Sequence, residues 1–475
     1  MALIDTLKHS TNYFSASLAT KALGFISIPV LTYLLTTEEY GVYNVFLSYV
    51  GIFVIILTLN SHTAISRYWY EQKDDFNSFF GTSVILASSI LFISIVVFTI
   101  FSDAVSNLLE MPRKLVLLMI PYVVIQLASL IFRQIFVAQR RSKLVATIEV
   151  LKAYIGFALG IGLLILYKEQ KYFAVILGQL VIGGLLSIVM IYYLKPFFKT
   201  ALSKKHLTFI LKYSLPRLPH ALSGIILAQF DRIMIKGYTG SEDAGLYSLA
   251  YNIGMLLSIV VIALLQAWTP DFYDDMKVKN FKKIDADISK IFRMMLIAAM
   301  FLMLFGPDLG LLIAHKNYVS ALYLIPYVVL GYVFWGIWGF FSRKISYSYK
   351  TIWLSVASLS AGVINILLNV WLIPIHGYEV AAYTTIASYF VMAAFGWFIT
   401  KYVLKLHVPP MFNFAILIIV LIGFFSFSYL LNYYSVSLVY SILIKLVIFS
   451  SFSIVVFYKY KNEFNTIFKK YISKK

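Results

Sequence analysis

Two stretches of the chain repeat one another 204 residues apart. Thr37-Glu38-Glu39-Tyr40-Gly41-Val42-Tyr43 returns as Ser241-Glu242-Asp243-Ala244-Gly245-Leu246-Tyr247. Hydroxyl, acid, acid, any residue, glycine, apolar residue and tyrosine recur in register. Each copy lies between one long apolar run and the next. A repeat at that distance between apolar runs is the mark of a duplicated membrane bundle, an arrangement on which many transporters are built.

Fourteen runs between residues 10 and 458 are long and apolar enough to cross a bilayer, which takes roughly 20 such residues. Only 13% of the 475 residues are charged, about half of what a soluble domain carries. Long continuous runs favour helices over the alternating segments of an outer-membrane barrel. The expected fold is an all-α polytopic membrane protein with about 14 transmembrane helices, with no room for a separate soluble domain. The first run is long, contains Lys21 and lacks a small-residue cleavage site, so it is expected to remain as a start-transfer helix. There are no cysteines, which excludes disulfides and thiol chemistry.

The net charge is +19. On a soluble chain this would suggest nucleic acid. Its distribution points elsewhere. The interhelical segments on one side, with both termini, hold 28 Lys and Arg residues against 6 on the other. The positive-inside rule places the rich side and both termini in the cytoplasm, with the bilayer as partner and no nucleic acid.

The offset equates span 1 with span 7 and span 2 with span 8, so six helices separate the copies and orientation is preserved. The expected organisation is an N-terminal lobe of spans 1–6 (1–194), a basic cytoplasmic linker (195–207), and a second lobe of spans 7–12 (208–402). Spans 13 and 14 (403–458) and a basic tail (459–475) follow. Within the motif, Thr37 or Ser241 is expected to cap the next helix. The acids then suit its first turn, the glycines allow close packing, and Tyr43 and Tyr247 suit the interfacial aromatic belt.

Ionisable groups at membrane depth cost about 2.5–3.5 kcal/mol on insertion scales and are functional candidates by default. The set is Lys21, Arg133, Glu149, Lys152, Arg217, Asp231, Arg232 and Lys445. Cations dominate it, which suits a phosphate-bearing cargo. Arg217 stands between Pro216 and Pro219, each of which removes a backbone donor. Lys21 lies on the span equivalent to that of Arg217. These two, with Lys152, form the expected cationic cleft. Glu149, Asp231, Arg232, Arg133 and Lys445 are read as coupling or structural charges. Glu149 and Lys152 can neutralise each other at i, i+3. Arg133 can snorkel to the interface, and Lys445 can snorkel or face a lipid-lined groove. Gln126, Gln134, Gln229, Gln266, Asn365 and Asn369 either line a wet cavity or tie helices together. His62, His220, His315 and His376 lack metal-ligand spacing, so no metal site and no catalytic residues are expected. No Gly-rich Lys-Ser/Thr loop is present, so ATP is not the direct driver.

Several fragments carry a family resemblance. Pro29 runs into Leu34-Leu35-Thr36-Thr37-Glu38-Glu39-Tyr40-Gly41. Tyr213-Ser214-Leu215-Pro216 enters span 7, with Asp231-Arg232 ahead of Gly245-Leu246-Tyr247-Ser248. Pro374-Ile375-His376-Gly377 precedes span 12. In order and spacing the chain resembles the polysaccharide-biosynthesis, Wzx-type oligosaccharide flippases of the multidrug/oligosaccharidyl-lipid/polysaccharide exporter superfamily. The resemblance implies a two-lobed alternating-access transporter of the bacterial inner membrane. The implied cargo is an undecaprenyl-diphosphate-linked oligosaccharide: an O-antigen (lipopolysaccharide), capsule or exopolysaccharide repeat unit. Glycan polymerase and chain-length machinery would be its partners. Such an anion moves down an inside-negative field by about 2.3 kcal/mol per charge per 100 mV, so membrane potential or an H+ or Na+ gradient is the expected drive, with no cofactor. The rivals are a peptidoglycan-precursor flippase, a drug exporter, which the cationic bias disfavours, and a glycan polymerase or ligase, which would need a larger polar external loop.

Overall fold

A computed structural model describes residues 19–20, 22–410, 412–433 and 438–459, and every regular element among them is helical. The first half runs α1 (Ala22–Leu34), α2 (Thr37–Leu57), α3 (Thr63–Glu71), α4 (Phe76–Ile100), α5 (Ser102–Leu109), α6 (Arg113–Ala138), α7 (Ser142–Leu163) and α8 (Tyr172–Leu194). The second half runs α9 (Lys204–Ser214), α10 (Leu218–Ile225), α11 (Asp231–Thr239), α12 (Ser241–Gly254), α13 (Leu257–Lys277), α14 (Phe281–Ile313), α15 (Ile325–Tyr347), α16 (Ile352–His376) and α17 (Val380–Phe398). Helices α18 (Phe412–Tyr433) and α19 (Leu438–Lys459) close the chain. Among the described residues, ten helical stretches are long and apolar enough to cross a membrane, and Ala22–Leu34 and Val439–Ser451 are shorter apolar helices. The fold is that of an all-α polytopic membrane protein. The seventh expected span is broken: a 3-10 turn over Leu215–Arg217 separates α9 from α10, and a π turn over Ile226–Phe230 separates α10 from α11.

The chain forms two compact units. One comprises the residues up to Leu249 with Ala314–Tyr318 and Ile352–Ser388; the other holds Ala250–Ile313, Val319–Thr351 and the chain from Tyr389 onward. In the first unit the two copies of the repeat meet. A methyl group on Gly41 would run into the carbonyl oxygen of Ser241, and one on Gly245 into that of Thr37. The first turns of α2 and α12 therefore touch backbone to backbone, each copy contributing the same glycine. The cap of α2 differs from the sequence expectation. Thr36, not Thr37, accepts from Glu39 N (3.1 Å), and Glu39 Oε2 accepts from Thr36 N (3.1 Å), a complete capping box. Thr37 is thereby freed to donate to Glu242 Oε1 of the other copy at 3.2 Å.

Small residues also set the α7–α8 contact. Gly156 and Gly160 follow Lys152 at intervals of four, so all three share one helix face. A methyl on Gly160 would meet Val175, and one on Gly178 would meet Gly160. Beyond α8, the segment 195–206 is tied to α4 and the residue that precedes it. Thr82 Oγ1 donates to Ala201 O (3.0 Å), and His206 Nε2 donates to Asp75 Oδ2 (2.7 Å). The second unit repeats the device: after α17, His407 Nε2 donates to Asp285 Oδ2 of α14 at 2.7 Å.

In the second unit α19 is held to α14 by a buried ion pair. Lys445 is 0% exposed, and its Nζ lies 2.8 and 3.1 Å from the two carboxylate oxygens of Asp308. Phe449, one turn further along α19, packs on Met300, Leu304 and Phe305 of α14. Lys445 thus neither snorkels nor faces lipid; burial beside a carboxylate is the cheaper state for an ammonium in an apolar helix.

Two outcomes follow, both read by thermal unfolding in detergent. Gly41→Ala and Gly245→Ala should each cost roughly 1–3 kcal/mol by overpacking a backbone contact, with the double variant less than additive because both open the same gap. Gly162→Ala, where the added carbon meets nothing within 4 Å, should be silent. Asp308→Leu should destabilise by about 3–5 kcal/mol by stranding the Lys445 charge, and Asp308→Leu with Lys445→Met should recover most of the loss.

Candidate functional site

Within the first unit, a cavity of about 370 Å³ opens among α1, α2, α6, α7 and α8. Its polar lining includes Ser27, Tyr43, Tyr122, Gln126, Lys152 and Gln179, and Leu23, Leu47, Ile125 and Phe157 supply apolar wall. The close approach of α7 and α8 positions the two central groups. Lys152 lies one turn before Gly156 on the facing side of α7, and Gln179 follows Gly178 on α8. Tyr122 donates to Gln179 Oε1 (2.6 Å), and Gln179 Nε2 donates to the Tyr43 hydroxyl (2.9 Å). Tyr43 is buried here rather than set in an interfacial belt.

Lys152 Nζ donates to Ser129 Oγ at 2.7 Å. Among the described residues no carboxylate lies within ion-pair distance of it. Glu149, which can neutralise it, makes its direct ion pair with Arg133, Arg133 Nη1 lying 3.7 Å from Glu149 Oε1, and acts on Lys152 only through space. Arg133 is therefore paired where snorkelling alone was expected. An ammonium has three donors, and Lys152 spends one on protein, on a hydroxyl that brings no charge. A partly buried cation without a direct ion pair is costly, and its remaining donors are available to a group in the cavity.

A second polar cluster surrounds Asp231, which is 1% exposed. Tyr247 and Thr385 donate to its Oδ2 at 2.8 and 2.7 Å, and Asn369 Nδ2 donates to its Oδ1 at 2.7 Å. Asn369 Oδ1 in turn accepts from Thr384 Oγ1. The neighbouring Arg232 turns away: its Nε donates to Ser248 Oγ at 3.2 Å and its Nη1 to Ala228 O at 3.1 Å. Tyr247, expected at the interface, is 0% exposed and reaches Asp231 because the glycine contact above it brings α12 against its neighbours. Asp231 follows directly on the π turn, an irregularity often found at functional sites. The carboxylate is thus held by two hydroxyls and one carboxamide from three different helices, with the Arg232 charge acting on it through space. Among the described residues no group of three or more His, Asp or Glu side chains is arranged to hold a metal.

Arg217 stands apart from both clusters. It closes the 3-10 turn Leu215–Arg217, and 22 residues of helical path separate it from Thr239. At 1.5 Å per residue that path is about 33 Å. Arg217 therefore sits at the lysine-rich end of the span rather than deep within it, exposed, with its guanidinium 3.8 Å from the Tyr213 ring centroid. Lys21 lies outside the described residues. The sequence reading passed over Asp308, although an acid directly after Gly306-Pro307 in an apolar run is a visible signal. It also passed over Gln179, Thr384 and Thr385, whose importance depends on which helices face one another.

The family model described as "Polysaccharide biosynthesis protein" matches residues 6–274. The Haemophilus influenzae "Lsg locus putative protein 1" is 26% identical over 365 residues, covering 70% of this chain and 85% of that protein. Among solved structures, the fold is similar to the lipid II flippase MurJ in an inward closed conformation. The TM-score is 0.76 at 15% identity, with 94% of this chain and 99% of MurJ covered. It is also similar to an inward-facing multidrug resistance MATE family transporter of the MOP superfamily, with a TM-score of 0.62 at 17% identity over 79% of this chain and 93% of that one. With the family model covering more than half of its length, the chain belongs to the polysaccharide biosynthesis protein family.

Proposed function

We propose that this protein is a flippase that moves a polyprenyl-diphosphate-linked oligosaccharide from the inner to the outer leaflet by alternating access. The observation that carries the reading is Lys152, a partly buried ammonium with no carboxylate in ion-pair distance among the described residues, in a cavity of phenols, carboxamides and hydroxyls. Those groups suit the hydroxyls and anionic centres of a glycan, and an acid-lined pocket for cationic drugs would be the reverse. Family membership supports a role in polysaccharide biosynthesis. The segregation of lysines supports an inner-membrane protein with cytoplasmic termini.

Asp231 is the proposed coupling group. Its neutral donors allow a carboxylate to alternate between charge states, so an H+ or Na+ gradient can act there alongside the potential on the cargo. The likeness of fold to a lipid II flippase favours one second reading, a peptidoglycan precursor as cargo. Identifying the lipid-linked sugar that accumulates on the inner leaflet after gene deletion decides between the two.

Lys152→Met should insert normally yet lower translocation by about tenfold or more, the worth of one charge-assisted hydrogen bond. The measurement is flipping of lipid-linked oligosaccharide in proteoliposomes; unchanged flipping would remove Lys152 from the site. Asp231→Asn should keep cargo binding and lose the response of transport to an imposed H+ or Na+ gradient. A variant still driven by the gradient would place coupling elsewhere.

A further inference from the structure

Arg217 has a companion that sequence spacing does not reveal. Helix α2 ends at Leu57, and the chain turns through Leu59 and Asn60, both left-handed at φ 49° and 53°. Two consecutive non-glycine residues in that region are uncommon and strained. The turn redirects the chain into the short helix α3, which packs against α9 and brings Arg67 to Tyr213. The Arg67 guanidinium lies 5.1 Å from the Tyr213 ring centroid, and that of Arg217 lies 3.8 Å from the same centroid. Two guanidinium groups thus share one tyrosine ring and lie within about 9 Å of each other.

Their donors are mostly unspent. Arg67 gives Nε to Glu71 Oε1 at 2.6 Å, and its Nη groups make no hydrogen bond among the described residues. Arg217 makes none there at all. Among the described residues no carboxylate bridges the two cations. Both side chains are exposed at the lysine-rich end of the first unit. Tyr213 is itself braced by Phe209, stacked at 6.2 Å, and Phe209 meets Tyr68 and Phe79 edge-on at 5.1 and 5.8 Å. Like charges brought together on a braced aromatic post, with forked donors open to the outside, form an arrangement completed by an anion.

We propose that Arg67 and Arg217, spaced by Tyr213, form a clamp for the diphosphate of a prenyl-diphosphate lipid. This rests on the flippase reading and names the residues that take the lipid end of the cargo. Each guanidinium can fork onto one phosphoryl group, and two guanidiniums match the two linked phosphoryls better than a single phosphate monoester. Tyr213 is a positioning residue: its ring fixes the separation, and its hydroxyl is not required.

The test is binding of farnesyl diphosphate, which carries no sugar, to the full-length protein in nanodiscs, with farnesyl monophosphate as comparison. The wild type should prefer the diphosphate. Arg67→Gln and Arg217→Gln should each weaken diphosphate binding about tenfold or more and shrink the preference over the monophosphate. Arg67→Lys should recover part of the affinity, because charge returns without the fork. Tyr213→Phe should bind as wild type, and Tyr213→Leu should bind as weakly as the glutamine variants. Diphosphate binding undiminished in Arg67→Gln, or a loss in Tyr213→Phe equal to that in Tyr213→Leu, overturns the clamp. A wild type that binds the diphosphate but flips no lipid-linked oligosaccharide would sink the flippase reading and leave the clamp standing. An Arg67→Gln/Arg217→Gln double variant that flips the oligosaccharide as well as the wild type would do the opposite.

Discussion

The contact on which the first unit depends is made of backbone. Gly41 and Gly245 bring the first turns of α2 and α12 so close that neither tolerates a side chain. Two helix N-termini facing each other place like partial charges together. The repeat answers this within its own sequence. Glu38 and Glu39 lie in the first turn of α2, and Glu242 and Asp243 in that of α12. Glu242 accepts from Thr37 across the contact, and Glu39 Oε1 accepts from Lys171 N at 2.7 Å. The glycines permit the approach and the acids make it electrostatically tolerable, so the motif needs both at fixed spacing.

From that contact the motif reaches downward. Tyr43 and Tyr247 each lie two residues past the glycine and turn inward, into different polar clusters. Tyr43 joins Gln179 and Tyr122 beside the Lys152 cavity, and Tyr247 donates to Asp231. The same position of the repeat thus serves two different ends, beside a cation in one copy and on an acid in the other. The hydrogen-bond partners of both charges are neutral, while Glu149 and Arg232 act on them only through space. Lys445 and Asp308, by contrast, neutralise each other directly. A charge that only fastens helices is stabilised most by an opposite charge. A charge that must exchange its partner is left with hydroxyls and carboxamides, which satisfy geometry without cancelling charge.

The duplicated motif, the helical membrane fold and the family were legible because they rest on patterns carried along the chain: apolar run length, lysine alternation and residue spacing. Charged residues within those runs were legible for the same reason. Their partners were not. Glu149 precedes Lys152 by one turn yet faces Arg133, because side chains three apart still diverge when one of them is drawn to another helix. The cap fell to Thr36 because Thr37 had a better acceptor 205 positions away. Arg217 looked central because apolar sequence continues before it. The 3-10 turn divides that run, so α9 belongs to the lysine-rich end and the spanning path begins near Leu215.

The order of charges along the first unit follows from helix geometry. Arg67, mid-way along the short α3, and Arg217, in the 3-10 turn before α10, both stand on the lysine-rich side. Lys152 lies ten residues into α7, about 15 Å further at the helical rise. Asp231 lies eight residues short of Thr239, about 12 Å from the opposite end. An anionic lipid entering from the lysine-rich side would meet paired guanidiniums first and a single ammonium at mid-depth. The acid lies past the cations, in the other half of the span. Under the proposed reading, cations ahead of the acid would favour loading, because Thr385, Tyr247 and Asn369 already occupy the carboxylate. The hydrogen bonds on Asp231 make a buried acid tolerable and, under the proposed flippase reading, would limit its repulsion of an anionic cargo.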